Sequence, residues 1–534
     1  MNGSKRSGSR PLWILWATIL WSILPATLLG QYPNILVSAP GSTNPNEVTI
    51  AINPANPLHL AGGANLRYVY RSTDGGWTWT EGLMSSSLGV WGDPCVAYDA
   101  DGALYYGHLS NPPAPGYWID RIIVQKSTDD GESWNDGVGV GFVSPREQDK
   151  EWITVDQTQS PYRNNIYMAW TEFDNYGSIT PGDSSRILFS RSVDGGMTFS
   201  SPIRVSDVGG DCLDDDNTVE GAVPAVGPNG EVYLSWSGPL GIAFDKSTDG
   251  GTTWGVDKVI ADQPGGWAFE VSGIYRCNGF PVTACDVSQG PHRGSVYVLW
   301  SDQRNGVEDT DVFIIKSTNR GSSWSSPMRV NNDISSRQQF FPWLSVDPIT
   351  GNLYVIFYDR RNTTGDATDV AVARSADGGN TWENFIVSDS SFVPTSGIFF
   401  GDYSNIAARG GMAYPMWTRI DGSARSTWIA IVADTVTSVA QGASDVPTSL
   451  ALAQNYPNPF NGESLIRYSI PSAGFVTLEL YNVLGEAVRT LQSRWESAGD
   501  YTVRVWMGDL PGGVYFYRLS HGGSQVSRRM VFLK

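Results

Sequence analysis

The chain has 534 residues, with 54 acidic against 36 basic side chains and a formal net charge of −18. That length allows two or three domains at about 100–200 residues each. The acidity argues against a nucleic-acid partner, because there is no basic excess to release counterions. Four scattered histidines (His59, His108, His292, His521) lack ligand spacing, which argues against a zinc centre.

Residues 1–30 have the makeup of an export signal. Lys5, Arg6 and Arg10 form a positive start, Leu12 to Leu29 is apolar and uncharged, and Ala26 and Gly30 are small residues near a cleavage point. An uncleaved membrane anchor is the rival reading, since the apolar run approaches spanning length.

Residues 31–433 repeat. Second strands of the repeat are related, as in Asn165-Ile166-Tyr167-Met168-Ala169-Trp170, Glu231-Val232-Tyr233-Leu234-Ser235-Trp236 and Ser295-Val296-Tyr297-Val298-Leu299-Trp300. After the third strand comes a short motif of the form basic-Ser-x-Asp-x-Gly-x-[Thr/Ser]-aromatic. It first reads Arg71-Ser72-Thr73-Asp74-Gly75-Gly76-Trp77-Thr78-Trp79 and recurs around Asp129, Asp194, Asp249, Asn319 and Asp377. The carboxylate can accept backbone N–H bonds in a tight turn, the Gly permits positive φ, and the aromatic adds buried area. Asn319 keeps an acceptor oxygen, so its turn should survive. All six positions are read as structural.

The motif resembles the Asp-box, or bacterial neuraminidase repeat, of the sialidase superfamily. The resemblance implies an all-β propeller in which each box caps the hairpin of the outer strands, away from the catalytic face. Six units end in a box. A seventh, near Tyr403–Ala407, Met412–Trp417 and Thr427–Ile431, has three strands and no box, while Asn34–Ser38 is a strand without a partner. The expectation is a seven-bladed propeller closed by the N-terminal strand, which would remove open edges. A six-bladed ring is the runner-up.

Residues 434–453, rich in Ser, Thr, Ala and Pro, read as a linker. Strands at Leu465–Ile470, Phe475–Tyr481, Tyr501–Trp506 and Gly513–Ser520 then suggest a small Ig-like antiparallel sandwich over 454–534. Its Tyr456-Pro457-Asn458-Pro459-Phe460-Asn461 opening, its Tyr481-Asn482-Val483-Leu484-Gly485 turn and its Gly513-Val514-Tyr515-Phe516-Tyr517 strand resemble the type A C-terminal sorting domain of the type IX secretion system. That resemblance implies export through the type IX machinery, to the outside or to the outer-membrane surface. Cys95, Cys212, Cys277 and Cys285 suit disulfides in an exported protein. Cys277 and Cys285 are near enough to close a small loop, the pairing stays open, and buried free thiols are the alternative.

For chemistry, sialidases imply an Arg triad, an Asp acid/base and a Tyr nucleophile. Gly401-Asp402-Tyr403-Ser404 is similar to their nucleophile segment, making Tyr403 a candidate, although a packed Tyr is the competing reading. Where the first Arg belongs, this chain has Pro45-Asn46-Glu47-Val48-Thr49-Ile50 and no Arg. Two second strands end in Ser301-Asp302-Gln303-Arg304 and Tyr358-Asp359-Arg360-Arg361, and the seventh unit has Trp417-Thr418-Arg419. Asp302 and Asp359 are candidate catalytic acids, and Arg304, Arg360, Arg361 and Arg419 candidate substrate ligands. Structural clamping is the alternative for all of them. The acidic loop Asp211–Asp216 has the oxygen ligands for Ca²⁺ but lacks ordered spacing, so a solvated loop is preferred and no cofactor is expected. The reading is an exported exo-α-sialidase-like glycosidase, monomeric, acting on a glycan or glycoprotein. A non-catalytic glycan- or protein-binding surface propeller is the alternative, and a surface-layer component without a pocket the third.

Overall fold

The structure, a computed structural model, describes residues 32–434, 449–472, 474–496, 499–507 and 510–534. The expected export signal, and most of the expected linker, lie outside the described residues. Every regular element among the described residues is a strand, and none of them forms a helix long and apolar enough to cross a membrane. The chain divides into two compact units, Met1–Asp434 and Thr435–Lys534.

In the first unit, six sheets are each built from four successive antiparallel strands. Their first strands are Thr49–Ile52, Cys95–Tyr98, Glu147–Val155, Glu220–Val226, Val282–Cys285 and Gln339–Val346. A seventh sheet combines Asn405–Arg409, Met412–Asp421 and Ala424–Ala430 with Asn34–Leu36 from the other end of the chain. Asn34 lies opposite Ala430 and Leu36 opposite Trp428. Each first strand packs against the first strand of the next sheet, and the seventh against the first. The strands therefore close around an axis as a β-propeller, numbered here as sheets 1 to 7. Second strands are sandwiched between neighbouring sheets, which is why they read as continuous apolar runs. Trp170, Trp236, Trp300 and Trp417 at their ends are fully buried.

The six boxes fold alike. Asp194 accepts from Met197 N (3.0 Å), Thr198 N (2.9 Å), Thr198 Oγ1 (2.6 Å) and Ser192 Oγ (2.8 Å). In the fifth box Asn319 Oδ1 accepts from Ser323 N, and its amide donates to Ser323 Oγ at 2.8 Å, which preserves the turn. The basic residue that opens each box also has a job. Lys126 Nζ donates to Gly195 O (3.0 Å), Arg191 to Gly250 O (2.5 Å), Lys246 to Arg320 O (2.6 Å) and Lys316 to Gly378 O (2.9 Å). Each acceptor belongs to the box of the following sheet. Arg71 reaches Glu132 (2.6 Å) and Arg374 reaches Asp434 (2.8 Å) in the same sense. Box aromatics join the same seams: Trp254 meets Phe189, and Trp324 meets Phe244, edge to face at 4.8 and 4.9 Å. The motif therefore fastens sheet to sheet as well as capping its own turn.

All four cysteines are buried free thiols. Of the two readings the sequence leaves open, disulfides and buried thiols, the structure has the second, and Cys277 and Cys285 pack into different apolar clusters. Cys277 lies with Val282 and Phe341, and Cys285 with Tyr233 and Phe244.

The second unit has two antiparallel sheets. One orders Ala451–Leu452, Glu463–Ile470 and Gly499–Trp506, and the other Ala487–Glu496, Gly474–Tyr481, Gly513–His521 and Ser524–Phe532. Both contribute to one core that includes Phe460, Ile466, Leu478, Leu480, Tyr517 and Met530. Tyr517 ties the opening motif to that core, accepting from Asn455 N (2.7 Å) and donating to Ala453 O (2.8 Å).

Candidate functional site

Strand register makes positions on the seven inner strands equivalent. Thr49, Cys95, Trp152, Val223, Val282, Trp343 and Asn405 each face the corresponding residue of their second strand. Two residues further along, the side chains are small: Ala51, Ala97, Thr154, Ala225, Ala284, Ser345 and Ala407. They leave a channel of about 290 Å³ at the end of the axis where the inner strands finish. Above it Trp152 and Trp343, 4.2 Å apart, plug the axis.

Two residues before the register point come Glu47, Asp93, Lys150, Gly221, Phe280, Phe341 and Tyr403, one from each sheet. Five of these seven have positive φ, including Glu47 (51°), Asp93 (49°), Lys150 (53°) and Phe341 (49°). Left-handed backbone at charged and bulky residues is strained, and such strain concentrates at functional sites. One position earlier lie Asn46, Asp149, Glu220 and Asp402. All of these but Gly221, Phe341 and Tyr403 line an axial cavity of about 540 Å³, within the roughly 300–1,000 Å³ typical of ligand pockets. Trp91, Trp118, Tyr176 and Trp267 complete the wall, and an excursion over 262–280 carries Arg276 across to the far side.

The cavity's charges fall into two groups. Arg276 donates from Nε to Asp402 Oδ1 (2.9 Å), pairs again through Nη2 with Oδ2, and lies 3.4 Å from Asp214. Lys150 Nζ is 3.7 Å from both Asp93 and Asp402. Burial alone would raise the Asp402 carboxyl, but Arg276 and Lys150 outweigh it and hold it below the ordinary range. Glu47, which accepts from Asn65, is pushed well up by burial and by the Asp93 and Asp402 charges. On the other side, Asp149 is pushed up to about 8 by burial and by Asp93 and Asp214. Glu220 is pushed well up by burial, Asp214 and Asp149. Tyr176 OH donates to Asp214 at 2.6 Å. The cavity thus sets one carboxyl held down by a guanidinium, Asp402, among carboxyls pushed up by burial and neighbouring charge, Glu47, Asp149 and Glu220. This is the pattern that assigns acid and base roles to carboxyl pairs.

Of the residues singled out in the sequence, Tyr403 lies below this cavity, against the Trp152–Trp343 pair (5.7 and 6.0 Å), with Lys150 Nζ 4.3 Å from its ring centre. Burial and the Asp93 and Glu47 charges push its hydroxyl well up, so it stays protonated. Asp302 is fully buried and accepts from Trp300 Nε1 (2.8 Å) and Arg304 Nη2 (2.6 Å). Asp359 pairs with Arg361 at 2.5 Å, Arg360 is buried against Thr368 (3.0 Å), and Arg419 pairs with Asp421 (2.9 Å). Arg304, Arg361 and Arg419 also reach the segment after the preceding sheet, donating to Asp262 O (3.2 Å), Asn332 Oδ1 (2.8 Å) and Ser390 O (2.9 Å), so they tie sheet to sheet, and none of these residues lines the axial cavity. The acidic loop spends Asp211 on Thr218 Oγ1 (2.9 Å) and Asp216 on Ala268 N (2.8 Å) while aiming Asp214 into the cavity. Among the described residues no three His, Cys, Asp or Glu side chains are grouped to hold a metal ion.

Residues 454–533 match the family of secretion system C-terminal sorting domains. The chain thereby carries an export address and is a protein of the cell surface or the exterior. No curated protein matches it. Among solved structures it is similar to a polysaccharide lyase, an ulvan lyase, at 12% identity over 75% of this chain and 96% of that one (TM-score 0.45). It is also similar to an α-L-arabinanase from Penicillium chrysogenum, at 13% identity over 75% and 97% (TM-score 0.39). A third is an α-L-arabinofuranosidase from Fusarium graminearum, at 12% identity over 75% and 97% (TM-score 0.40).

Proposed function

We propose that the protein is an exported carbohydrate-active enzyme that breaks glycosidic bonds in its axial cavity, delivered by the type IX machinery through its C-terminal domain. The observation that carries this reading is the juxtaposition, in one aromatic-walled cavity, of proton-bearing Asp149 and Glu220 with ionised Asp402. Sugar rings offer apolar faces for Trp91, Trp118 and Tyr176, and hydroxyls for the carboxylates and Asn46. Glycoside cleavage needs one carboxyl group to protonate the leaving oxygen and a second, negative, to support the positive charge that develops on the sugar. Asp149 is assigned the first role. Asp402, kept ionised by Arg276 and Lys150, is assigned the second.

The test is turnover by the purified full chain of a panel of fluorogenic aryl glycosides, an α-sialoside included, and of dyed polysaccharides. Asp149→Asn and Asp402→Asn should each lower kcat/KM by about a hundredfold or more, and Tyr403→Phe by less than about threefold. Loss confined to Tyr403→Phe on the sialoside would instead restore a sialidase mechanism. No turnover of any substrate by a folded chain would leave a non-catalytic glycan-binding propeller.

A further inference from the structure

The cavity does not end at its walls. On the side of sheets 2 and 3, Tyr176 inside the cavity meets Trp118 edge to face at 5.6 Å, and Trp118 meets Trp91 edge to face at 6.5 Å. Trp118 and Trp91 are 40% and 38% exposed. On the opposite half of the propeller, Arg276 covers the Phe399 ring at 5.0 Å, and Phe399 meets Tyr275 edge to face at 5.9 Å. Tyr275 is 59% exposed. Isolated exposed apolar residues are ordinary, but contiguous ones that begin inside a polar cavity mark a ligand groove. Edge-to-face contacts fix the orientation of each ring.

We infer that the ligand is a glycan chain of several residues that crosses the mouth of the cavity, stacking on Trp118 and Trp91 on one side and on Tyr275 on the other. This rests on the reading of the cavity as a glycan site. A chain with subsites on both sides of the acids is bound, and cut, internally. A site for a chain end needs one side walled off, whereas here aromatic rings lead away from both.

The test is binding rather than turnover, so it can fail independently of the enzymatic reading. Disaccharides and hexasaccharides of cellulose, xylan, mannan, arabinan and polygalacturonate are titrated against the full chain by calorimetry, with tryptophan fluorescence alongside. At least one hexasaccharide should bind about tenfold or more tighter than its disaccharide. Trp118→Ala and Tyr275→Ala should each remove most of that length dependence, and Tyr275→Ala, outside the cavity lining, should do so while leaving disaccharide binding within about twofold. Trp118→Phe, which keeps a ring, should retain it, and an unchanged thermal midpoint in each variant excludes misfolding. Binding that does not depend on chain length, length dependence that survives both alanine variants, or no binding in the panel would overturn the inference. Length-dependent binding without turnover would keep the groove and discard the enzymatic reading.

Discussion

A single box aspartate accepts four hydrogen bonds from its own turn, and the fifth box accomplishes the turn with an amide. That natural contrast between Asp194 and Asn319 sets the expectation for substitutions. Asp194→Asn keeps Oδ1 as the acceptor for the Met197 and Thr198 amides and gains a donor toward Thr198 Oγ1, as Asn319 does toward Ser323. It should cost less than about 0.5 kcal/mol, whereas Asp194→Ala, which leaves those donors to water, should cost about 1–2 kcal/mol. Denaturant unfolding of both variants checks this, and equal losses would mean that charge, not acceptor geometry, is what the turn uses. Charge does matter in acid. Hydrogen bonds from Ser133 and from Thr198 hold Asp129 and Asp194 at about 2, below an ordinary aspartate. Stability from these groups is present above about pH 4 and is lost as the pH falls through about 2.

Strands and boxes act as fasteners between sheets, and two of them can be removed separately. Without Asn34–Leu36, the strand Ala424–Ala430 would present unpaired N–H and C=O groups, a template for association. Deleting residues 32–38 should therefore lower the thermal midpoint by several degrees and produce concentration-dependent association in sedimentation. Lys126→Met, which removes both the reach to Gly195 and the ammonium over the Tyr105 ring, should cost about 0.5–1 kcal/mol by denaturant unfolding. These elements were legible in the sequence because turn chemistry is local: Asp, Gly and an aromatic at fixed spacing specify a hairpin whatever surrounds it. The missing box of the last unit likewise marks the place where Asn34–Leu36 pairs. The cavity was less legible. Its acids stand two or three residues before the register point of the inner strand in sheets 1 to 4 and 7, and their convergence depends on register across the sheets, which no single segment encodes. Glu47 stands in the segment where the sialidase resemblance implies an Arg, and Asp402 is next to the Tyr403 to which the same resemblance points. Asp302–Arg304 and Asp359–Arg361 repeat with a shared structural contact, since each arginine also reaches the segment after the preceding sheet.

At the scale of the molecule, the boxes and the cavity pull stability in opposite directions along the pH axis. Box carboxylates are ionised more readily in the folded state than in the unfolded chain, so they favour folding as pH rises through the acid range. Asp149 behaves oppositely: its folded value of about 8 lies above the roughly 3.9 of an unfolded aspartate. A raised carboxyl adds stability that is full below about pH 4 and declines as pH rises through about 8, because the unfolded chain can release the proton more easily. Glu47 and Glu220, pushed up by burial and neighbouring charges, act in the same direction. The sum places maximal stability on the acid side of neutrality, near about pH 4–6, with a downward slope toward pH 9. Asp149→Asn, which has no proton to lose, should flatten part of that slope and raise the thermal midpoint at pH 9 relative to the parent. It should also abolish the decline in kcat/KM above about pH 8 expected if the Asp149 proton is the one transferred, by removing the activity that declines. Thermal midpoints of parent and variant from about pH 4 to pH 9, with the pH–rate profile of the parent beside them, check both. A variant with an unchanged slope would mean that Asp149 is ionised in the folded protein, and the general-acid role would pass to Glu220.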